Sequence, residues 1–332
     1  MKSNNKLVTV DLSDSPQIYT LGQSIPFFTA ISLLQLITWL KSLQFFVFDW
    51  DGCLAEGGLE TANNPRTVLQ YFAENERTVK YFRSLVLFFA KLGIQFGICT
   101  GRSADFIIPH LDKLFPKGKI AFLICEGGAD LYLYDPKQRK FVQHKPDYVS
   151  AIDVQWFMER KEKIREVCEN LGAVLESGKK VILSFNTPPE WKNNIEGFYE
   201  LVYANLNREF GLDIRQYMSY EHSGTAIDCG PKLANKVLSM KEIVKDNLTA
   251  YVGDAMNDAG AMIECLINLL PKNSSSDIQR IAKQVMCCLV SQKSELPGTT
   301  DLLNKLQLAL SFEKNLRIDV KQNPKDKVYF LK

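Results

Sequence analysis

The chain has only three histidines, His110, His144 and His222, spread over 332 residues. That argues against a histidine-centred mechanism, although any one of them can touch substrate. None of the eight cysteines stands in C-x-x-C spacing or beside a histidine cluster. This speaks against a zinc site, and in a chain of this length the pattern is not a disulfide framework. Reduced thiols in a cytoplasmic compartment are expected, several of them serving as small apolar core residues. Charge of one sign is not in excess: Lys plus Arg 40 against Asp plus Glu 38 leaves a net +2, which removes any broad electrostatic case for nucleic acid or a membrane surface. No transmembrane segment is expected either. The most apolar stretch, running through Leu40, is interrupted by Thr29, Ser32, Gln35 and Thr38 and falls short of the roughly 20 apolar residues that cross a bilayer. Residues 1–24 lack the pattern of a secretory signal, and no repeat of solenoid spacing is present. What remains is an ordinary globular composition, 46% apolar and 23% charged, for which a small molecule is the default partner.

The chain is organised around residues 44–58. Phe45, Phe46, Val47 and Phe48 form an apolar run of the kind that makes a strand buried on both faces, and it stops at Asp49-Trp50-Asp51-Gly52. Ligands bind just beyond the carboxyl ends of strands in open parallel sheets. Two carboxylates so close repel unless a cation or a shared proton offsets them, and magnesium, which prefers carboxylate oxygen, suits the pair.

Two further segments repeat this grammar. The spacing predicts a helix over 78–92 ended by Gly93, then a strand from Ile94 to Cys99 that stops at Thr100-Gly101-Arg102. A right-handed crossover would put Thr100 beside Asp49. A helix over 104–115, a strand over 120–125 and a hairpin around Asp135-Pro136 follow. From 146 to 223 the texture changes to helix, strand, helix, strand and strand, an α+β unit over its own sheet. A helical stretch then begins at Lys232, and Leu248 to Val252 is another apolar strand, ending in Gly253-Asp254-Ala255-Met256-Asn257-Asp258. The expected domains are an N-terminal extension (1–43) with an apolar helix, a core in two parts (44–145 and 224–310), a cap (146–223) and a tail (311–332). The N-terminal helix is expected to pack on the protein, with membrane-surface association or a partner contact as alternatives.

The strings FDWDGC at 48–53, CTGR at 99–102, PK at 231–232 and VGDAMND at 252–258 resemble the four motifs of the haloacid dehalogenase superfamily of phosphatases and phosphotransferases, and the insertion is similar to the C2-type caps of its sugar-phosphate phosphatases. The resemblance covers roughly residues 44–310 and implies an α/β fold, a Rossmann-like parallel sheet with an inserted α+β cap. It implies a magnesium-dependent phosphomonoester hydrolase with Asp49 as nucleophile and Asp51 as general acid and base. Thr100, Gly101 and Lys232 would bind phosphate. Asp49, the Asp51 carbonyl and Asp254 would hold magnesium, with Asp258 supporting that shell. Lys236, one turn after Lys232, is its rival. Lys179, Lys180, Asn186, Glu221 and His222, near the ends of expected cap strands, are candidates to touch a sugar or polyol phosphate. A sugar phosphomutase using the same intermediate and a catalytically silent binding or regulatory protein are the alternatives. Two residues depart from the pattern: Trp50 between the aspartates, and Cys53 where threonine is common.

Overall fold

The computed structural model describes residues 18–20, 30–57, 65–149, 151–223, 226–282, 287–313, 318–319 and 330–331; most of the expected N-terminal extension before residue 30 and most of the expected tail lie outside them. The strands in chain order are β1 (Ile18–Thr20), β2 (Phe45–Phe48), β3 (Gln95–Cys99), β4 (Ile120–Cys125), β5 (Asp130–Asp135), β6 (Lys140–His144), β7 (Val174–Leu175), β8 (Leu183–Asn186), β9 (Met218–Ser223), β10 (Ala226–Pro231), β11 (Thr249–Val252), β12 (Ile267–Leu270), β13 (Cys288–Val290), β14 (Ile318–Asp319) and β15 (Phe330–Leu331). The helices are α1 (Ala30–Ser42), α2 (Pro65–Glu74), α3 (Glu76–Lys91), α4 (Ala104–Leu114), α5 (Ala151–Asn170), α6 (Ile195–Phe210), α7 (Lys236–Val244), α8 (Ala259–Ile263), α9 (Ser276–Ala282) and α10 (Glu295–Glu313).

Nine strands form the main sheet in the order β1-β13-β12-β11-β2-β3-β4-β5-β6. It is parallel from β1 to β4, and β5 and β6 add an antiparallel hairpin at one edge. The arrangement is the expected α/β one. Successive residues of the central strands point to opposite faces, so a strand covered on both sides must be apolar throughout. Phe46 and Phe48 join the core beneath α1, α3 and α10, while Val47 joins that beneath α7, α8 and α9. Phe46 lies 5.0 Å from Phe89 of α3 and 6.2 Å from Phe96 of β3, ring centre to ring centre. Gly97 leaves room for Phe122, because a Cβ there would sit 2.2 Å from its ring.

Helix α1 lies on this core, with Leu36, Ile37 and Leu40 buried in it. Each such side chain contributes about 1.5–3 kcal/mol by leaving water. The expected helix therefore packs on the protein over its described part, and no helix among the described residues is long and apolar enough to cross a membrane.

Strands β7, β8, β10 and β9, in that order, make the second sheet. Its Leu183, Phe185, Ile227 and Cys229 pack with α5 and α6 in a separate core, so the alternate residues Ser184, Asn186 and Asp228 lie on the opposite face. This sheet includes β10, paired with both β8 and β9. The boundary expected at 223 thus falls one strand early, since local sequence does not say which sheet a short apolar strand will join. The pair β14 and β15 forms a separate ribbon.

Candidate active site

Because β11, β2 and β3 are parallel and in register, their carboxyl ends deliver Asp254, Asp49 and Thr100 to one edge. The Asp49 amide donates to Val252 O at 2.8 Å, and Thr100 N donates to Ile124 O at 2.8 Å. Asp49 is 5% exposed. Gly52 has φ +68°, and a Cβ there would lie 2.1 Å from Asp254 Oδ2. Only glycine lets the turn after Asp51 press against the other acidic strand end.

A lysine sits among the acids, and it is Lys236 rather than Lys232. Lys236 Nζ lies 3.2 Å from Asp49 Oδ2 and donates to Asp258 Oδ1 at 2.7 Å, with its side chain 1% exposed. Lys232 is only partly buried, and its backbone amide bonds Tyr217 O. The cause is helix register. Asn235 caps α7 by accepting from Leu238 N at 2.9 Å, which leaves Lys232 in the preceding turn and puts Lys236 on the buried first turn.

Asp258 is saturated by protein donors. Its Oδ1 accepts from Lys236 and from Tyr251 Oη at 2.8 Å, and its Oδ2 accepts from the amides of Asp254 and Ala255 at 3.1 and 3.2 Å. Asp254 Oδ2 accepts from Asn273 Nδ2 at 3.3 Å, and the same amide nitrogen donates to Gly52 O at 2.9 Å.

Asp49, Asp254 and Asp258 present oxygens within 4.8 Å of one another. Burial, then the Asp258 charge, pushes Asp49 well above the usual carboxylate range, with Lys236 opposing. Asp254 is pushed up to about 8 by burial and then by Asp258. Burial alone would lower Lys236, but Asp258 and Asp49 outweigh it and hold it above its ordinary value. One ammonium among three carboxylates leaves the cluster short of positive charge, so an oxygen-preferring divalent cation fits this donor set. Cys53 Sγ lies 3.9 Å from Asp254 Oδ1; burial, then Asp254, raises its thiol far above the ordinary value, so it is an unreactive thiol. All eight cysteines are unpaired and buried.

The cap is closed over this edge. Arg102 binds both Asp51 oxygens, Nε–Oδ2 2.7 Å and Nη2–Oδ1 2.8 Å, and its Nη1 donates to Glu176 of the cap at 2.6 Å. Its backbone amide donates to Thr100 Oγ1 at 3.1 Å. Fully buried Glu126, just after β4, accepts from three successive cap amides: Lys180 at 2.7, Val181 at 2.7 and Ile182 at 3.0 Å. Lys179 Nζ donates to Gly101 O and lies 3.6 Å from Glu176. Asp228 reaches Ser184 Oγ, and its Oδ2 is 3.4 Å from where a Gly101 Cβ would be. The gap lined by Glu126, Ser219, Tyr220 and Asp228 measures about 10 Å³, room for about one water.

Asp49, Asp51, Thr100, Gly101, Asp254 and Asp258 thus gather at one edge, with Lys179 reaching it from the cap. Lys180 Nζ pairs instead with Asp105, at 2.7 Å and half exposed. Asn186 lies on the core-facing side of the cap sheet. Glu221 and His222 pair through the backbone with Asp228 and Ile227, and their side chains lie outside the described set. The sequence reading missed Arg102, Glu126, Glu176, Asp228 and Asn273. Glu126 directly follows an apolar strand and Arg102 closes the Thr100-Gly101-Arg102 stop after another, so both were findable on that ground, whereas Glu176 and Asp228 carry no local signal.

No protein-family model and no curated protein matches the chain at a significant level. Solved structures do. The C-terminal domain of trehalose-6-phosphate phosphatase from C. albicans aligns with a TM-score of 0.52 and 18% identity, over 85% of this chain and 99% of that one. A haloacid dehalogenase-like hydrolase from Bacteroides thetaiotaomicron aligns at 0.51 and 12%, over 80% and 99%. A Thermoplasma acidophilum protein aligns at 0.51 and 16%, over 80% and 99%. The chain has the haloacid dehalogenase fold, a Rossmann-like core with a cap.

Proposed function

We propose that the protein is a magnesium-dependent phosphomonoester hydrolase that acts on a sugar or polyol phosphate through an aspartyl phosphate on Asp49. The observation that carries this reading is the convergence of a buried Asp49 carboxylate, the Lys236 ammonium, the Asp254 carboxylate and the Thr100 hydroxyl at one sheet edge, with Asp51 two residues from Asp49.

Asp49 attacks phosphorus; the bond to the leaving oxygen breaks, and Asp51 supplies the proton that makes it an alcohol. Water, losing a proton to Asp51, then attacks the same phosphorus, freeing phosphate and restoring Asp49. Lys236 and Thr100 bind the transferred group and stabilise the charge that gathers on its oxygens. Asp49 and Asp254, with the Asp51 carbonyl, would hold magnesium, which when bound neutralises the nucleophile and polarises the phosphoryl oxygens. Asp258 holds Lys236 and the Asp254 loop in place.

In the closed arrangement both Asp51 oxygens accept from Arg102, so proton donation needs that pair to separate. Glu176 anchors Arg102 from the cap, so cap position and the readiness of Asp51 are linked. The closing face offers Glu176, Lys179, Ser184 and Asp228, donors and acceptors suited to a hydroxyl-rich leaving group.

The test is phosphate release from a panel of sugar, polyol and other phosphomonoesters, wild type beside Asp49→Asn, with magnesium and with EDTA. Release from a hydroxyl-rich ester that requires both Asp49 and magnesium is expected. Turnover by the Asp49→Asn protein equal to wild type, or an isomer in place of free phosphate, defeats the reading.

A further inference from the structure

A second cavity, of about 390 Å³, opens between the end of α4, the loop at 115–119 and the β5–β6 hairpin turn. It lies at the opposite edge of the sheet from Asp49. Strand β4 begins there at Ile120, and β5 runs antiparallel to it from Cys125's partner Asp130 back toward that edge. Helix α4 starts beside Arg102 at the catalytic edge and spans roughly 16 Å at 1.5 Å per residue before reaching this cavity.

Its apolar and aromatic lining includes Ile108, Phe115, Tyr134 and Phe141. Ile108 is 38% exposed, and the Tyr134 and Phe141 rings pack edge-on at 5.4 Å. Its rim is cationic: Lys117, Arg139 and Lys140 line it against a single carboxylate, Asp112. Across residues 112–119 and 134–141 there are six Lys and Arg against two Asp. That concentrates positive charge on one face of a chain whose net charge is only +2. Asp135, the other acid, is already used by the turn, accepting from Lys137 N, Gln138 N and Gln138 Nε2. Neither Lys117 nor Arg139 has an ion-pair partner among the described residues. Arg139 also holds φ +53°, a left-handed conformation that residues with a Cβ seldom adopt.

We infer that this cavity is a second ligand site, for a nucleoside phosphate. The volume lies in the range of small-ligand pockets, the half-buried rings of Tyr134 and Phe141 border it where a base can pack, and cations at the rim take the phosphates. A cavity of this volume has room for about one base and sugar.

Calorimetric titration in magnesium-free buffer tests this with ADP, pyrophosphate (phosphates without the ring) and adenosine (ring without the phosphates). ADP is expected to bind roughly tenfold or more tightly than either fragment, in line with charge-assisted bonds adding to stacking. Ile108→Trp, which fills the cavity without changing charge, and the triple variant K117E/R139E/K140E are each expected to weaken ADP about tenfold or more. Both should leave ester hydrolysis at the wild-type rate. Pyrophosphate binding as tightly as ADP, undiminished ADP binding by Ile108→Trp, or no ADP binding at all overturns the inference. None of these outcomes depends on Asp49 chemistry.

Discussion

Replacing Lys236 by Met removes an ammonium from a site that is 1% exposed and keeps most of the side-chain volume. The three carboxylates of Asp49, Asp254 and Asp258, within 4.8 Å of one another, would then face each other with no cation at that point. Breaking a buried ion pair by deleting one partner costs roughly 3–5 kcal/mol. Lys236 serves two carboxylates, at 3.2 and 2.7 Å, so we expect the upper part of that range, about 4–5 kcal/mol. At about 2–3 °C per kcal/mol for a chain of this size, the melting temperature in EDTA at pH 8 should fall by roughly 8–15 °C. The loss should be smaller at pH 5, where protonation of the clustered acids relieves their repulsion. Magnesium should return part of it by standing in for the missing charge. Phosphate release should fall by about 10²-fold or more, as for other charge-stabilising donors. Lys232→Met, at a partly exposed turn, should stay within about 0.5 kcal/mol of wild type and keep its activity. Thermal melts and phosphate-release rates of the two variants side by side decide the matter. A larger activity loss in Lys232→Met, or a Lys236→Met melting temperature within a degree of wild type, refutes the reasoning.

Asp254, raised to about 8 from an ordinary 3.8, stabilises the metal-free fold most below the lower of these values and loses that contribution as pH rises through the upper one. Melts in EDTA should therefore show stability falling between about pH 4 and 8, with Asp254→Asn flattening the slope and abolishing stabilisation by magnesium. Glu126→Ala leaves three cap amides without their carboxylate; hydrogen exchange at 180–182 should quicken at least about tenfold, and unchanged protection would show that the latch contributes nothing. Leu36→Ala and Leu40→Ala, which hollow the contact of α1 with the core, should each cost about 2–5 kcal/mol by denaturant melts. A cost under about 0.5 kcal/mol would mean that the helix does not hold to the core in solution.

The sequence by itself determined which residues end strands at the catalytic edge. Apolar four- to six-residue runs stopped by Asp-x-Asp-Gly, Thr-Gly or Gly-Asp are local signals, and the crossover rule carries them to one side of the sheet, so Asp49, Asp51, Thr100 and Asp254 were legible without coordinates. The tertiary structure decided everything that depended on a partner distant in the chain. Lys232 and Lys236 stand one turn apart, and the ion pairs of Lys236 with Asp49 and Asp258 are what single it out. Strand β10 lies just past the boundary expected at 223, and its pairing with β8 and β9 assigns it to the cap sheet. Glu176 and Asp228 look like surface acids until the cap folds them onto Arg102 and Gly101. The physical reason is the same in each case: burial and charge pairing belong to the packed neighbourhood, whereas strand ends and turns are set by residues adjacent in the chain.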